Sequence, residues 1–291
     1  MLPLMGKSGM SDDTGQKLEH LKTIIKDMGT VLIAWSGGTD STLLAAVAGQ
    51  IPDTKILAVI AHSPVYPPGD METAASLADT LGIRYRAIET GELANRDFTP
   101  NPPDRCYHCR KALFRILRKI AHEERLAWIA DGSNCDDLND RRPGMQAACE
   151  AEVRSPLCEA GLNKEEIRTL SRRLGLPTWD RPSSPCLASR IPYGTPVTEE
   201  VLVKIAQGEK YIRSLVPGQV RLRHYGDTAR IEVEPQQMPL LLNSGIRDEL
   251  IGRIKSLGYT YVTLDLAGFR SGSLNEVIEF SKDDCRRSGT L

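Results

Sequence analysis

The sequence predicts an α/β fold: a parallel sheet with helices on both faces, followed by a small α+β C-terminal domain. Three observations lead there. Short, nearly continuous apolar runs at 31–35, 55–63 and 126–130 alternate with segments of helical hydrophobic spacing, the pattern of strands buried on both faces between crossover helices. A glycine turn, Ser36-Gly37-Gly38, joins the first apolar run directly to a helical segment. Proline then accumulates over 180–196, and beyond it strands and helices resume in another order.

Each element has its own signal. Residues 12–28 carry Leu18, Leu21, Ile24, Ile25 and Met28 on one helical face, and Gly29 stops the run. After the strand at 31–35, a helix begins near Asp40 and continues through Leu43, Leu44, Ala45, Ala46 and Val47. The second strand spans 55–63, a helix spans 69–81 and closes at Gly82, and a third strand spans 84–89. Residues 109–124 read as helix, 126–130 as the fourth strand ending in Asp131-Gly132-Ser133-Asn134, and 163–174 as a helix ended by Gly175. Trp35 and Trp179 are expected in the core. Pro182, Pro185 and Pro192 disfavour regular structure, so 181–197 is read as a functional loop and linker between domains at 1–180 and 198–291. The second domain reads as a helix at 198–215, two strands within 219–234 around Gly226-Asp227, a largely helical stretch at 236–257 and a strand at 259–266. No internal repeat or low-complexity tract occurs.

Bulk properties narrow the class. Apolar residues make up 41% and charged residues 26% of 291, a soluble globular balance. A formal charge of −1 supplies no global attraction to nucleic acid. The N-terminal residues lack the apolar core of a signal peptide, and no run approaches a membrane span. A cytoplasmic location is expected, where the seven cysteines serve as thiols or metal ligands rather than disulfides.

The strand–turn–helix at 31–47 has the chemistry of an anion grip. Gly37 and Gly38 let backbone N–H groups face an anion without an intervening Cβ. Ser36, Thr39 and Ser41 add hydroxyls, and the helix N-terminus adds its dipole. No lysine follows, so this is not the Walker pattern. Ser36-Gly37-Gly38-Thr39-Asp40-Ser41 resembles the PP-loop of the ATP pyrophosphatase superfamily, which implies ATP cleavage between the α and β phosphates. Ligands of such sheets lie beyond the C-terminal strand ends. The turn, Ala61-His62-Ser63 and Asp131-Gly132-Ser133 are therefore expected to converge, with Ala61 and Ser63 along the adenine and Gly132 beside the nucleotide.

Cys106 and Cys109 form a Cys-x-x-Cys at a helix start, and Cys186 lies in the proline loop. The pair alone fits a redox dithiol, half a zinc site or two cluster ligands. With Cys186, three thiolates suit a 4Fe-4S cluster with one iron left open. Cys135, Cys149, Cys158 and Cys285 stand apart and read as small buried hydrophobes, Cys135 being the one beside the expected crevice.

Longer strings extend the resemblance. Residues 139–144 (Asn-Asp-Arg-Arg-Pro-Gly), 185–190 (Pro-Cys-Leu-Ala-Ser-Arg) with Pro192-Tyr193-Gly194, 209–215, 220–223 and 263–272 are similar to the LarE family of ATP-dependent sulfur transferases in nickel-pincer cofactor synthesis. The resemblance implies adenylation of a carboxylate of pyridinium-3,5-biscarboxylic acid mononucleotide, then replacement of the activated oxygen by sulfur. It implies Cys186 as the catalytic sulfur-bearing cysteine, Asp40 as a carboxylate on the Mg2+ side (a helix cap being the alternative), and Arg221 and Arg223 as ligands of the substrate phosphate, against a reading as a solvated pair. Glu209 resembles an acidic site residue whose downstream partner is missing, Leu240 falling near that place. One branch of the family sacrifices the sulfur of its cysteine; another holds a 4Fe-4S cluster on three cysteines, and Cys106 and Cys109 match the latter. A homo-oligomer, by expectation a hexamer, follows from the same resemblance, with the sulfide donor left open.

Three competing readings differ in what they require. A tRNA thiolase needs a basic RNA-binding surface. An ammonia-using ligase of the NAD- or GMP-synthetase kind leaves three cysteines without work. A non-enzymatic cluster or nucleotide sensor has no need of an intact ATP turn beside the 139–144 string.

Overall fold

The computed structural model describes residues 12–139 and 143–277; Asp140, Arg141 and Arg142 of the 139–144 string and Cys285 lie outside them. The chain divides into two compact units, Met1–Cys186 and Leu187–Leu291.

The first unit is built on four strands, β1 (Thr30–Ala34), β2 (Lys55–His62), β3 (Tyr85–Glu89) and β4 (Trp128–Ala130), in the order β3-β2-β1-β4. All pair in parallel. The helices are α1 (Asp12–Met28), α2 (Thr39–Ala48), α3 (Asp70–Leu81), α4 (Arg105–Glu124), α5 (Pro143–Glu150), α6 (Pro156–Glu159) and α7 (Lys164–Arg173). Strand side chains alternate between two cores, because successive Cβ atoms point to opposite faces. Val31, Ile33, Ala58 and Ile60 pack with α1, α2, α3 and α7. Leu32, Leu57 and Val59 pack with Phe114, Leu117 and Ile120 of α4 and with Ala147 and Ala148 of α5. The sheet is thus covered on both sides, as the apolar runs require. Its order reverses between β1 and β4, which opens a crevice at their C-terminal ends.

Helix α4 starts at Arg105, four residues before the expected 109. Cys106 and Cys109 are therefore both helical, three residues apart and on one face. Strand β4 begins two residues later than expected, because the helix before it closes through Arg125 at φ 54° and a Leu126 N–H bond to the Ala121 carbonyl. Helices α5 and α6 carried no recognised signal; the first lies just past the undescribed residues and the second is four residues long.

The second unit holds α8 (Glu199–Leu215), β5 (Val220–Tyr225), β6 (Thr228–Val233), α9 (Met238–Leu242), α10 (Ser244–Ser256) and β7 (Tyr261–Leu264). Strands β5 and β6 form a hairpin and β6 pairs in parallel with β7. The expected helical stretch at 236–257 is broken at Asn243, whose side chain accepts from the Gly245 N–H and so starts a new helix. Leu202, Ile205, Ile212, Leu222, Ile231 and Ile254 are buried in this unit. No helix among the described residues is long and apolar enough to cross a membrane.

Candidate active site

Strand β1 delivers the chain to the glycine turn. Trp35 is buried, as expected, and its Nε1 donates to Thr42 Oγ1 at 3.1 Å, tying the turn's entry to α2. Gly37 takes φ +69°, and a Cβ there would sit 2.9 Å from Ala74 Cβ, so both the left-handed backbone and the contact demand glycine. Helix α2 starts at Thr39 with Gly38 as its N-cap and no side-chain cap; Asp40 is thus not the cap. The turn's donors bond within the turn. Gly38 N–H donates to Ser36 Oγ at 3.3 Å, Ser36 N–H to Ser41 Oγ at 3.3 Å, and the two hydroxyls lie 3.2 Å apart. These long bonds leave the hydroxyls easy to displace by a stronger, anionic acceptor. The Thr39 hydroxyl points elsewhere: it donates to the Thr178 carbonyl at 2.7 Å.

Strand β4 closes on this turn. A Cβ on Gly132 would meet Ser41 N at 2.8 Å and Ser41 Cα at 3.0 Å, so the loop after β4 touches the first turn of α2 backbone to backbone. Asp131, buried, accepts from Ser133 N–H and Oγ, from Ser155 Oγ and from Arg110 Nη1 at 3.1 Å. Asp40 accepts from Lys164 Nζ and, at 3.5 Å, from Asn134 Nδ2. At the end of β2, Ala61 is half-buried, and Ser63 is buried with its Oγ accepting from the Val65 N–H.

The thiols gather in the same unit. Cys109 Sγ lies 3.8 Å from Glu92 Oε1, which also accepts from Thr90 Oγ1 at 2.9 Å. Glu92 is buried, and its Oε2 has no protein partner. Loss of solvation raises the Cys106 thiol above its ordinary pKa, and Cys186 adds to the effect. Burial raises Cys109 further, followed by Glu92, Cys186 and Cys106. Tyr66 is raised by burial and by Cys109, Glu92 and Cys186. Arg110 opposes all three shifts. Cys186 contributes to the shift of both Cys106 and Cys109, so the three sulfurs share one neighbourhood, and the donor set suits a thiophilic group. Among the described residues no group of three His, Cys, Asp or Glu side chains is placed to hold a metal ion.

The segment leading to Cys186 is tied to the turn. Arg181 Nη1 donates to the Gly37 carbonyl at 3.1 Å and Nη2 to Asp70 Oδ1 at 2.9 Å. Ser184 Oγ donates to Asp70 Oδ2 at 3.3 Å. Trp179, expected in the core, is 37% exposed and lies under the Arg172 guanidinium at 5.0 Å; a cation–π contact holds it at the surface.

Other cysteines also depart from expectation. Cys149 is exposed. Cys135 and Cys158 are half-buried; Cys135 Sγ donates to the Cys158 carbonyl at 3.5 Å, and burial together with Cys135 pushes the Cys158 thiol up to about 11.

In the second unit Arg221 and Arg223 are buried, not solvated. Arg223 donates to Glu232 at 2.9 and 3.0 Å, to the Ser189 carbonyl at 2.7 Å and to Ser273 Oγ at 2.8 Å. Arg221 stacks on Phe269 at 5.0 Å, and burial followed by Arg190 pushes it down to about 10. Glu209 is fully buried; Arg190 binds it at 2.7 and 3.0 Å, and Arg213 and the Leu222 N–H also donate to it. Burial pushes this carboxyl upward, but Arg190 and Arg213 outweigh it and hold it low.

Sequence reasoning missed Tyr66, Glu92, Arg110, Lys164 and Arg181. Glu92 had a usable signal, because it follows the C-terminal end of β3. So did Lys164, which opens a helix marked by Asn163 and Glu166, a reciprocal capping box. Arg181 carried none, since its partners are 111 and 144 residues away.

A parallel sheet whose order reverses beside Ser-Gly-Gly-Thr-Asp-Ser, with a helix N-terminus facing the break, defines an enzyme of the PP-loop ATP pyrophosphatase class. Residues 16–100 match the family model described as NAD synthase. The chain is 42% identical over 262 residues to an uncharacterized protein of Synechocystis sp., covering 90% of this chain and 98% of that one. It is 37% identical over 263 residues to the pyridinium-3,5-bisthiocarboxylic acid mononucleotide synthase of Lactiplantibacillus plantarum, covering 90% and 95%. A GMP synthase of Aeropyrum pernix matches at 25% identity over 68% of this chain and 42% of its own. The chain belongs to the family of that synthase, the LarE family.

Proposed function

We propose that the protein inserts sulfur into a carboxylate of pyridinium-3,5-biscarboxylic acid mononucleotide in an ATP- and Mg2+-dependent reaction. The observation that carries this reading is that one compact unit contains both the glycine turn, whose donors are held by long bonds within the turn, and three thiols within electrostatic reach of one another. A carboxylate resists nucleophiles because it is already anionic. Its oxygen attacks the α phosphorus of ATP, the α–β bridge bond breaks, and pyrophosphate leaves. The resulting acyl-adenylate has a neutral carbonyl and a good leaving group. A sulfur nucleophile adds to that carbon, and AMP departs with the former carboxylate oxygen.

In this reading Gly38 N–H, Ser36, Ser41 and the start of α2 neutralise charge on the leaving phosphates. Asp40 serves Mg2+ once Lys164 turns away from it. Ala61 and Ser63 edge the adenine, Gly132 lets the β4 loop approach, and Arg221 and Arg223 bind the substrate phosphate. Cys106, Cys109 and Cys186 would hold a 4Fe-4S cluster, which when bound supplies an iron able to carry sulfide. In a second reading Cys186 surrenders its own sulfur and ends as dehydroalanine. The protein acts as a cytoplasmic homo-oligomer on either reading.

The test is anaerobic purification with assay of iron and acid-labile sulfide, then incubation with ATP, Mg2+ and the mononucleotide. The expected result is AMP release with exchange of one oxygen for sulfur in the substrate. Iron lost in the triple Cys106, Cys109 and Cys186 to Ala variant supports the cluster; an iron-free protein whose Cys186 becomes dehydroalanine supports the second reading. Absence of substrate mass gain, with thiolated tRNA formed instead, overturns both.

A further inference from the structure

The four residues between Arg181 and Cys186 are exposed, so packing does not hold this stretch. Polar ties do. Upstream, the Thr178 carbonyl accepts from Thr39 Oγ1 in the first turn of α2, and the Arg181 N–H bonds back to that carbonyl at 3.1 Å. Arg181 then spans two targets: the Gly37 carbonyl inside the phosphate turn and Asp70 at the start of α3. Ser184 takes the second oxygen of Asp70. Two residues on, Cys186 lies within about 7 Å of Ser184 along the chain.

The Gly37 bond matters because of which peptide it grips. The Gly37 carbonyl and the Gly38 N–H belong to one planar trans unit and point in opposite directions. Holding the carbonyl on the Arg181 side turns the N–H toward Ser36 Oγ, the inside of the turn. A phosphate that draws on Gly38 N–H therefore pulls on the peptide plane that Arg181 holds, and Arg181 shares its carboxylate with Ser184, next to the cysteine.

We propose that Arg181, with Asp70, is a positioning residue that couples occupancy of the phosphate turn to the placement of Cys186. The proposal rests on the sulfur-transfer reading for its purpose, but the coupling itself is a property of the chain. It lets the thiol segment respond to the presence of nucleotide, so that sulfur is presented when an adenylate can form and held back otherwise. Arg181 touches neither reacting atom; it acts through the Gly37–Gly38 peptide and Ser184.

The test uses the full chain, stripped of iron by a chelator, with the alkylation rate of Cys186 by iodoacetamide read by peptide mass spectrometry. The probe is α,β-methylene-ATP with Mg2+. In the native chain the nucleotide is expected to raise the Cys186 rate about tenfold, the lower end of what one hydrogen bond to a charged group contributes. In Arg181→Met the rate becomes the same with and without nucleotide while the nucleotide still binds, and Arg181→Lys recovers part of the response. Asp70→Asn, which keeps the size of the side chain, is expected to lose part of it too and serves if Arg181→Met does not fold. A native chain whose Cys186 ignores the nucleotide overturns the proposal, as does an Arg181→Met chain with the full response. Loss of sulfur transfer from a native chain that still shows the response would sink the proposed function and leave the coupling intact.

Discussion

Gly132 has no room for a methyl group. The atoms it would strike are Ser41 N and Cα, at 2.8 and 3.0 Å, backbone rather than a flexible side chain. Gly132→Ala must displace the first turn of α2, at a cost of roughly 1–3 kcal/mol for overpacking. Its nucleotide affinity, read by calorimetry, is expected to fall by more than its melting temperature suggests, because the displaced atoms belong to the phosphate grip. His224 gives a pH prediction. Burial and then Lys204 depress it below its ordinary 6.5, and its Nδ1 lies 3.2 Å from the Tyr259 hydroxyl. The unfolded chain binds this proton more readily, so stability rises with pH here. The contribution is whole above about 6.5 and is lost as the pH falls from there toward the folded value. Melting temperature should drop over that window, and less so in His224→Gln.

Helix α7 shows how a local signal supports a distant contact. Asn163 accepts from the Glu166 N–H at 2.9 Å and Glu166 accepts from the Asn163 N–H at 3.0 Å, while Lys17 of α1 pairs with Glu166 at 2.7 Å. Asn163→Ala should cost about 1 kcal/mol in denaturant unfolding. It should also strengthen Mg2+-nucleotide binding, because Lys164, the first residue of this helix, holds Asp40 and must turn away before Asp40 can serve Mg2+; unchanged binding would show that α7 does not steer Lys164. The α7 helix was legible from its spacing, and the strands β1 and β2 from their apolar runs. Lys164–Asp40 was not, since it joins residues 124 apart that have no shared pattern. Likewise Cys106-x-x-Cys109 was visible as a motif, but Glu92 beside it depends on where the end of β3 falls against α4.

At the scale of the whole chain, the two units have separate cores and different sets of polar groups. The first carries the turn and the thiols; the second carries a buried set of arginines partly balanced by Glu209 and Glu232. The alternation of strands and helices made the parallel sheet readable, and the hairpin around Gly226 did the same for the second sheet. What periodicity could not express was which polar groups end up inside. Arg190, Arg221 and Arg223 look like surface residues in the sequence and become interior ones only when Glu209 and Glu232 meet them. The reversal between β1 and β4 has one more consequence. It concentrates every reactive loop on a single rim of the first sheet and leaves the opposite rim idle. The bend at Asp53, exposed and at φ 63°, lies on that idle side before β2. A short Gly-Ser insertion or a fluorophore grafted there should leave nucleotide affinity untouched, making this far end a natural handle for tethering an enzyme whose working edge must stay clear.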